Sequence, residues 1–175
     1  MKSNTVTPSN NGEILLLCGI PGSGKTTYCK WLAQQKRFDH LNFDELLSGI
    51  GPPKHLQLVE LLKTSAKEFV HKVSRGGRTV IDWGFPLACI GLVRELEQRG
   101  VSVWWFDGDR EAALQSFTAR GDVPVEAFRI QMAAIEQGWS QIKDIVKGRT
   151  IKTVAAGPTH LASEEIFLEM FRSGE

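Results

Sequence analysis

Gly19 to Thr26, "GIPGSGKT", places a lysine and a threonine directly behind three spaced glycines, the pattern G-x-x-x-x-G-K-[ST]. Glycines let the backbone curl until successive N–H groups face inward, and a helix starting behind them adds the positive end of its dipole. Together they form a cradle for phosphate oxygens. In such a cradle Lys25 reaches the outer phosphates of a nucleoside triphosphate, Thr26 holds Mg²⁺ through its hydroxyl and Thr27 adds a further phosphate contact. Gly19, Ile20, Pro21, Gly22, Ser23 and Gly24 supply the rest of the cradle. The alternative is a ligand-free glycine turn between a strand and a helix; the complete pattern in its strand-to-helix context argues against it.

Phosphoryl transfer also needs an oriented nucleophile, a metal ion and positive charge around the moving group. Asp44, in "LNFDELL", follows a short apolar run; its carboxylate could take the proton of an acceptor hydroxyl, or merely cap a helix starting at Glu45. Asp82 ends the run "TVID", where it could support Mg²⁺ or stand solvated at a strand end. Trp83 and Phe85, in "DWGFP", either line an acceptor pocket or belong to the core. Arg120, in "FTARGDVP", falls in a segment near 119–128 expected to act as a lid over the phosphates, with Arg129 able to assist; the competing reading is a solvated arginine. His40, His55, His71 and His160 have no metal-ligand spacing and receive no role.

The elements that must position these residues follow from periodicity. Strands are expected at 13–18, 38–43, 78–82, 101–106 and 149–155, each a short, mostly apolar run beside turn residues. Helices are expected from Gly24 onward, at 55–75, at 87–99, from an Asp109 cap to about 119, from Pro124 as first helical residue, and at 164–172 with Ser163 as cap. In the long helix the stripe Phe128, Met132, Ile135, Trp139, Ile142 and Val146 reads as core. Alternating strands and helices imply an α/β fold, a three-layer α/β/α sandwich around a five-stranded parallel sheet, with ligands at the carboxyl ends of the strands.

The chain has 175 residues, room for one core, so 1–12 is expected to be a flexible tail and 13–175 a single domain. A formal net charge of +1 gives no broad basic field for nucleic acid. Three cysteines, Cys18, Cys29 and Cys89, lack paired spacing and read as thiols in a reducing compartment. The polar start has no apolar leader and no stretch is long enough to span a bilayer, so the expectation is a cytoplasmic protein without a membrane partner.

Together these residues resemble the P-loop kinase group that contains phage-type polynucleotide kinases, zeta-toxin-like kinases and gluconate or shikimate kinases, especially its bacterial "AAA-type ATP-binding" branch, over residues 13 to 155. The resemblance implies the P-loop nucleoside triphosphate hydrolase fold and a GxPGSGK[ST] turn for ATP, matched by Gly19 to Thr26. It implies that Asp44, in "NFDEL", orients or deprotonates the acceptor, and that an R…VP…R lid, matched by Arg120, Val123, Pro124 and Arg129, clamps phosphates. It also places the loop "AAGPTH", 155 to 160, near the adenine. "FDGDREAALQSFTARG", 106 to 121, looks like the strand-to-lid segment of that branch. Polynucleotide kinases carry an "RDDYR"-like stretch where this chain has Phe43-Asp44-Glu45-Leu46-Leu47, which moves nucleic acid to second place. The expected activity is transfer of the γ-phosphate of ATP, with Mg²⁺, to a hydroxyl of a small metabolite or nucleotide. The alternatives are a 5′-hydroxyl polynucleotide kinase and a regulatory ATPase without an acceptor.

Overall fold

The computed structural model describes residues 12–121, 123–155 and 159–172. Its order is β1 (Ile14–Gly19), α1 (Lys25–Lys36), β2 (Asp39–Asn42), α2 (Phe43–Leu47), α3 (Pro53–Thr64), α4 (Ala66–Ser74) and β3 (Thr79–Asp82). A 3₁₀ turn (Leu87–Cys89), α5 (Ile90–Gln98), β4 (Ser102–Gly108), α6 (Arg110–Thr118), α7 (Val125–Val146), β5 (Thr150–Val154) and α8 (Ser163–Arg172) complete it. The five strands form one parallel sheet in the order β2-β3-β1-β4-β5.

β1 is buried along its whole length because both its faces are covered, which is why it reads as an unbroken apolar run. Ile14, Leu16 and Cys18 pack with α2 to α5 and α7 on one face; Leu15 and Leu17 pack with α1 and α8 on the other. Burying a side chain such as Leu16 or Leu17 fully contributes roughly 1.5–3 kcal/mol. The three-layer α/β/α sandwich follows directly.

Several expected boundaries shift. The single helix expected over 55–75 is two, because Ser65 adopts an extended conformation (φ −159°, ψ 107°) and its hydroxyl accepts from the Glu68 N–H. Ser65 and Glu68 have the spacing of a capping box, a signal present in "TSAKE". Phe43 opens α2 rather than closing β2, and Pro124 is the cap of α7, not its first residue. Ser163 is the first residue of α8, and the Glu165 carboxylate accepts from the Ala162 N–H instead. Trp139 departs from the expected core stripe and is 37% exposed. Of the tail expected over 1–12 only Gly12 is described; its N–H donates to the Ser74 carbonyl at 2.9 Å. Among the described residues no helix is long and apolar enough to cross a membrane.

Candidate active site

The glycine turn leaves β1 at its carboxyl end and enters α1 through Gly24, whose φ of 84° offers no side-chain cap. The first turn of α1 holds no acidic residue, so its N–H groups keep their capacity for an outside anion. Gly22, at φ +77°, lies against α6 so closely that a Cβ would stand 2.0 Å from the Ala113 carbonyl oxygen. The Lys25 ammonium donates to the carbonyls of Ile20 (2.9 Å) and Gly19 (3.3 Å) and to the Ser23 hydroxyl (3.4 Å). Ser23 Oγ donates in turn to the Ile20 carbonyl at 2.7 Å, and Thr153 Oγ1 ties the turn to β5 through the Ser23 carbonyl at 2.8 Å. Desolvation draws the Lys25 pKa below the ordinary lysine value, against the pull of the nearby Asp82.

Strand order brings the carboxylates here. β3 lies next to β1 with Leu17 opposite Asp82, and β2 lies on its far side with Asn42 opposite Asp82. The Asp82 side chain is buried, and among the described residues its Oδ2 has no hydrogen-bond partner; His40 Nε2, 3.7 Å away, is also unpartnered there. Asp44 follows β2 in the first turn of α2. The helix is capped by Asn42, whose side chain accepts from the Glu45 N–H at 3.4 Å, so the capping role considered for Asp44 falls to its neighbour. Burial and the charge of Asp82 raise the Asp44 pKa above the usual carboxylate value, while the Gly84 main-chain amide opposes them.

These groups face one cavity of about 520 Å³. Its floor is the glycine turn with Lys25 and Thr26; Asp44, Asp82 and Arg120 stand around it, and Phe85, Leu87, Trp105 and α7 form the far wall. Phe85 thus lines the cavity, whereas Trp83 is 2% exposed and packs behind it against Phe43 in the core. Ile135 and Ile142, expected in the core stripe, also line this wall. A second cavity of about 410 Å³ opens on the other side of the turn, lined by Thr27, Tyr28, Ser116, Thr153 and His160. Arg120 borders both cavities and rests its guanidinium 5.9 Å from the centre of the Phe117 ring. Arg129 reaches neither: on the exposed face of α7 it pairs with Glu126 at 3.6 Å. Asp122 and residues 156–158 lie outside the described residues, so the lid and the 155–160 loop are described only in part.

Two histidines given no role stand at this edge. His40 on β2 faces Asp82, and His160 Nε2 lies 2.9 Å from Ser116 Oγ beside Gly24. No local spacing announces either, since each meets its partner across more than 40 residues. For a metal, the hard oxygen donors present are Asp82 and the Thr26 hydroxyl at the cavity floor, and the orphaned Asp82 oxygen fits Mg²⁺. Among the described residues Cys29, His40 and Asp82 also bring ligand atoms within 4.8 Å of one another, but burial holds the Cys29 pKa well above its ordinary value and keeps the thiol protonated.

A family model described as an AAA domain matches residues 14–141. Among solved structures, a shikimate kinase from Acinetobacter baumannii in complex with shikimate is 20% identical, with a TM-score of 0.60 over 93% of this chain and 95% of that one. A gluconokinase from Sinorhizobium meliloti 1021 is 15% identical, with a TM-score of 0.56 over 91% of this chain and 90% of that one. No curated protein matches the chain. At these identities the likeness establishes the fold, that of P-loop kinases.

Proposed function

The chain belongs to the AAA domain family, and from that premise we propose that it is a phosphotransferase that moves the γ-phosphate of ATP to a hydroxyl of a small acceptor. The observation that carries this reading is the convergence of Lys25, Asp44, Asp82 and Arg120 on one 520 Å³ cavity whose floor is the glycine turn. The folds of a gluconokinase and a shikimate kinase support it.

In this reading the main-chain N–H groups of residues 22–27 hold the polyphosphate, since Pro21 has none and that of Ile20 is already given to the Phe106 carbonyl, and Lys25 leaves its carbonyl partners to bridge the outer phosphates. Thr26 and Asp82 would hold Mg²⁺, which would supply positive charge to the polyphosphate. Asp44 accepts a hydrogen bond from the acceptor hydroxyl and takes its proton. The acceptor oxygen then bonds to the γ-phosphorus while the bond to the bridging oxygen breaks and its electrons leave with ADP. A raised Asp44 pKa suits that proton transfer, since burial and Asp82 make the carboxylate a stronger base. Arg120, at the start of the 119–128 lid, leaves Phe117 to neutralise negative charge on the transferred group and helps exclude water. Thr27 and His160 border the 410 Å³ cavity, which takes the nucleoside end.

Incubation with labelled ATP, Mg²⁺ and a panel of hydroxyl compounds, including 5′-hydroxyl oligonucleotides, tests the reading. A phosphorylated small molecule is expected. Label on oligonucleotides would point to a polynucleotide kinase, and phosphate release with no acceptor product would point to a regulatory ATPase.

A further inference from the structure

The acceptor side of the 520 Å³ cavity carries its own chemical signature. Beyond the glycine turn its wall is Phe85, Leu87, Trp105, Ile130, Ile135 and Ile142, with Gln131 as the polar side chain between them. Among the described lining residues the basic groups are Lys25 and Arg120, and both stand at the phosphate end. Those two cations, and Asp82 with its metal, are committed to the phosphates of the nucleotide, so a carboxylate or phosphate on the acceptor would lie against the apolar wall with no cation of its own and beside Asp44. Trp105 is 2% exposed, stacks edge-on with Trp139 at 5.5 Å, and its indole N–H has no partner. Among the described residues that buried donor is unsatisfied, and the ring presents its apolar surface to the cavity. The wall is close-packed from behind: α7 approaches the 3₁₀ turn at Gly138, where a Cβ would stand 2.1 Å from Leu87 Cδ2.

We propose that the acceptor is an uncharged, largely apolar alcohol, with an aromatic or alicyclic body against the wall formed by Phe85, Trp105 and α7 and a hydroxyl presented to Asp44. This rests on the phosphotransferase reading, and it excludes sugar acids, nucleotides and oligonucleotides as the preferred acceptors. Gln131 supplies the polar contact that orients the body, and the apolar side chains of α7, Ile135 among them, leave an anion without a partner.

A matched pair varies charge on one shape: 1-phenyl-1,2-ethanediol and mandelate share a phenyl ring and a benzylic hydroxyl, a neutral CH2OH standing in the diol where mandelate has its carboxylate, and the position of label in the product tells which hydroxyl accepts it. Transfer of label from ATP is measured for both, with gluconate as a third probe, and binding is measured separately by calorimetry in the presence of a non-hydrolysable ATP analogue. The diol is expected to exceed mandelate and gluconate by roughly tenfold or more, because only the anions leave a charge unpaired. Ile135→Arg should reverse the order towards mandelate; Ile130→Arg, at a position 63% exposed and therefore tolerant of charge, gives a second variant should the first not fold. Preference for mandelate or gluconate, equal binding of diol and acid, or no binding of any probe to protein that binds the ATP analogue would each overturn the proposal. Selective binding of the diol without labelled product would sustain the acceptor class and sink the phosphotransferase reading instead.

Discussion

At the amino-terminal edge of the sheet, Arg78 donates two hydrogen bonds to Glu13 at 3.1 and 2.8 Å, His55 lies 3.1 Å from Asp39, and Glu97 accepts from Lys147 at 2.8 Å and Arg149 at 3.5 Å. At the carboxyl edge Lys25, Asp44 and Arg120 form no ion pair among the described residues, and Asp82 Oδ2 has no hydrogen-bond partner. The pKa directions agree with this geometry: Lys147 and Arg149 hold Glu97 below its ordinary value, whereas burial pushes Asp44 up and Lys25 down. Charge is satisfied at one edge by the fold itself. At the other Arg110 still pairs with Asp107, but around the glycine turn burial disfavours the charged forms of Asp44 and Lys25 until something outside the chain completes them. The glycine turn and the strand ends therefore carry a stability cost that a polyphosphate and a metal would reverse.

If that contrast is right, the largest effect belongs to Lys25→Ala. ATP binding measured by calorimetry should be lost, because the ammonium that bridges the outer phosphates is gone. Its thermal midpoint should hold or rise, because the folded protein disfavours the charged ammonium. Asp44→Asn comes next: turnover should drop by roughly 10²–10⁴, the range of a general base, with ATP affinity little changed. Parallel loss of both quantities would make Asp44 structural.

The opposite edge should respond in stability alone. Glu97→Gln is expected to cost about 1 kcal/mol at neutral pH in denaturant unfolding and to leave turnover intact. Because the folded pKa of Glu97 is depressed, this contribution is present above the ordinary glutamate value of 4.5 and is lost as pH falls through the lower folded value. The gap between wild type and variant should close across that acid window; a gap independent of pH would refute the ion-pair origin. The smallest effect is that of Arg129→Ala, which should leave kcat and KM for ATP within about twofold, because a solvated surface pair contributes little. A large loss would mean that α7 moves Arg129 into the site during closure.

Much of this was legible in the residues. The glycine turn and the apolar run of β1 are local features, each set by neighbours within a few positions, so spacing alone identified them. The Ser65 cap is equally local, but the apolar period continues through it and masks the break. His40 beside Asp82, Phe85 on the cavity and Trp83 behind it were not legible, since their neighbours come from other strands and helices.

The sequence by itself determined the phosphate cradle, the alternation of strands and helices, and the identities of the carboxylates at strand ends. These depend on backbone conformation and periodicity, which act over a turn or two of chain. Only the tertiary structure decided that β3 lies between β1 and β2, which sets Asp82 beside the turn and within reach of His40. It alone turned Ile135 and Ile142 of α7 into an uncharged wall facing Asp44, and left Arg129 outside. The physical reason is that strand order and helix packing follow from burying both faces of one sheet at once, a condition on the whole chain that no single segment expresses.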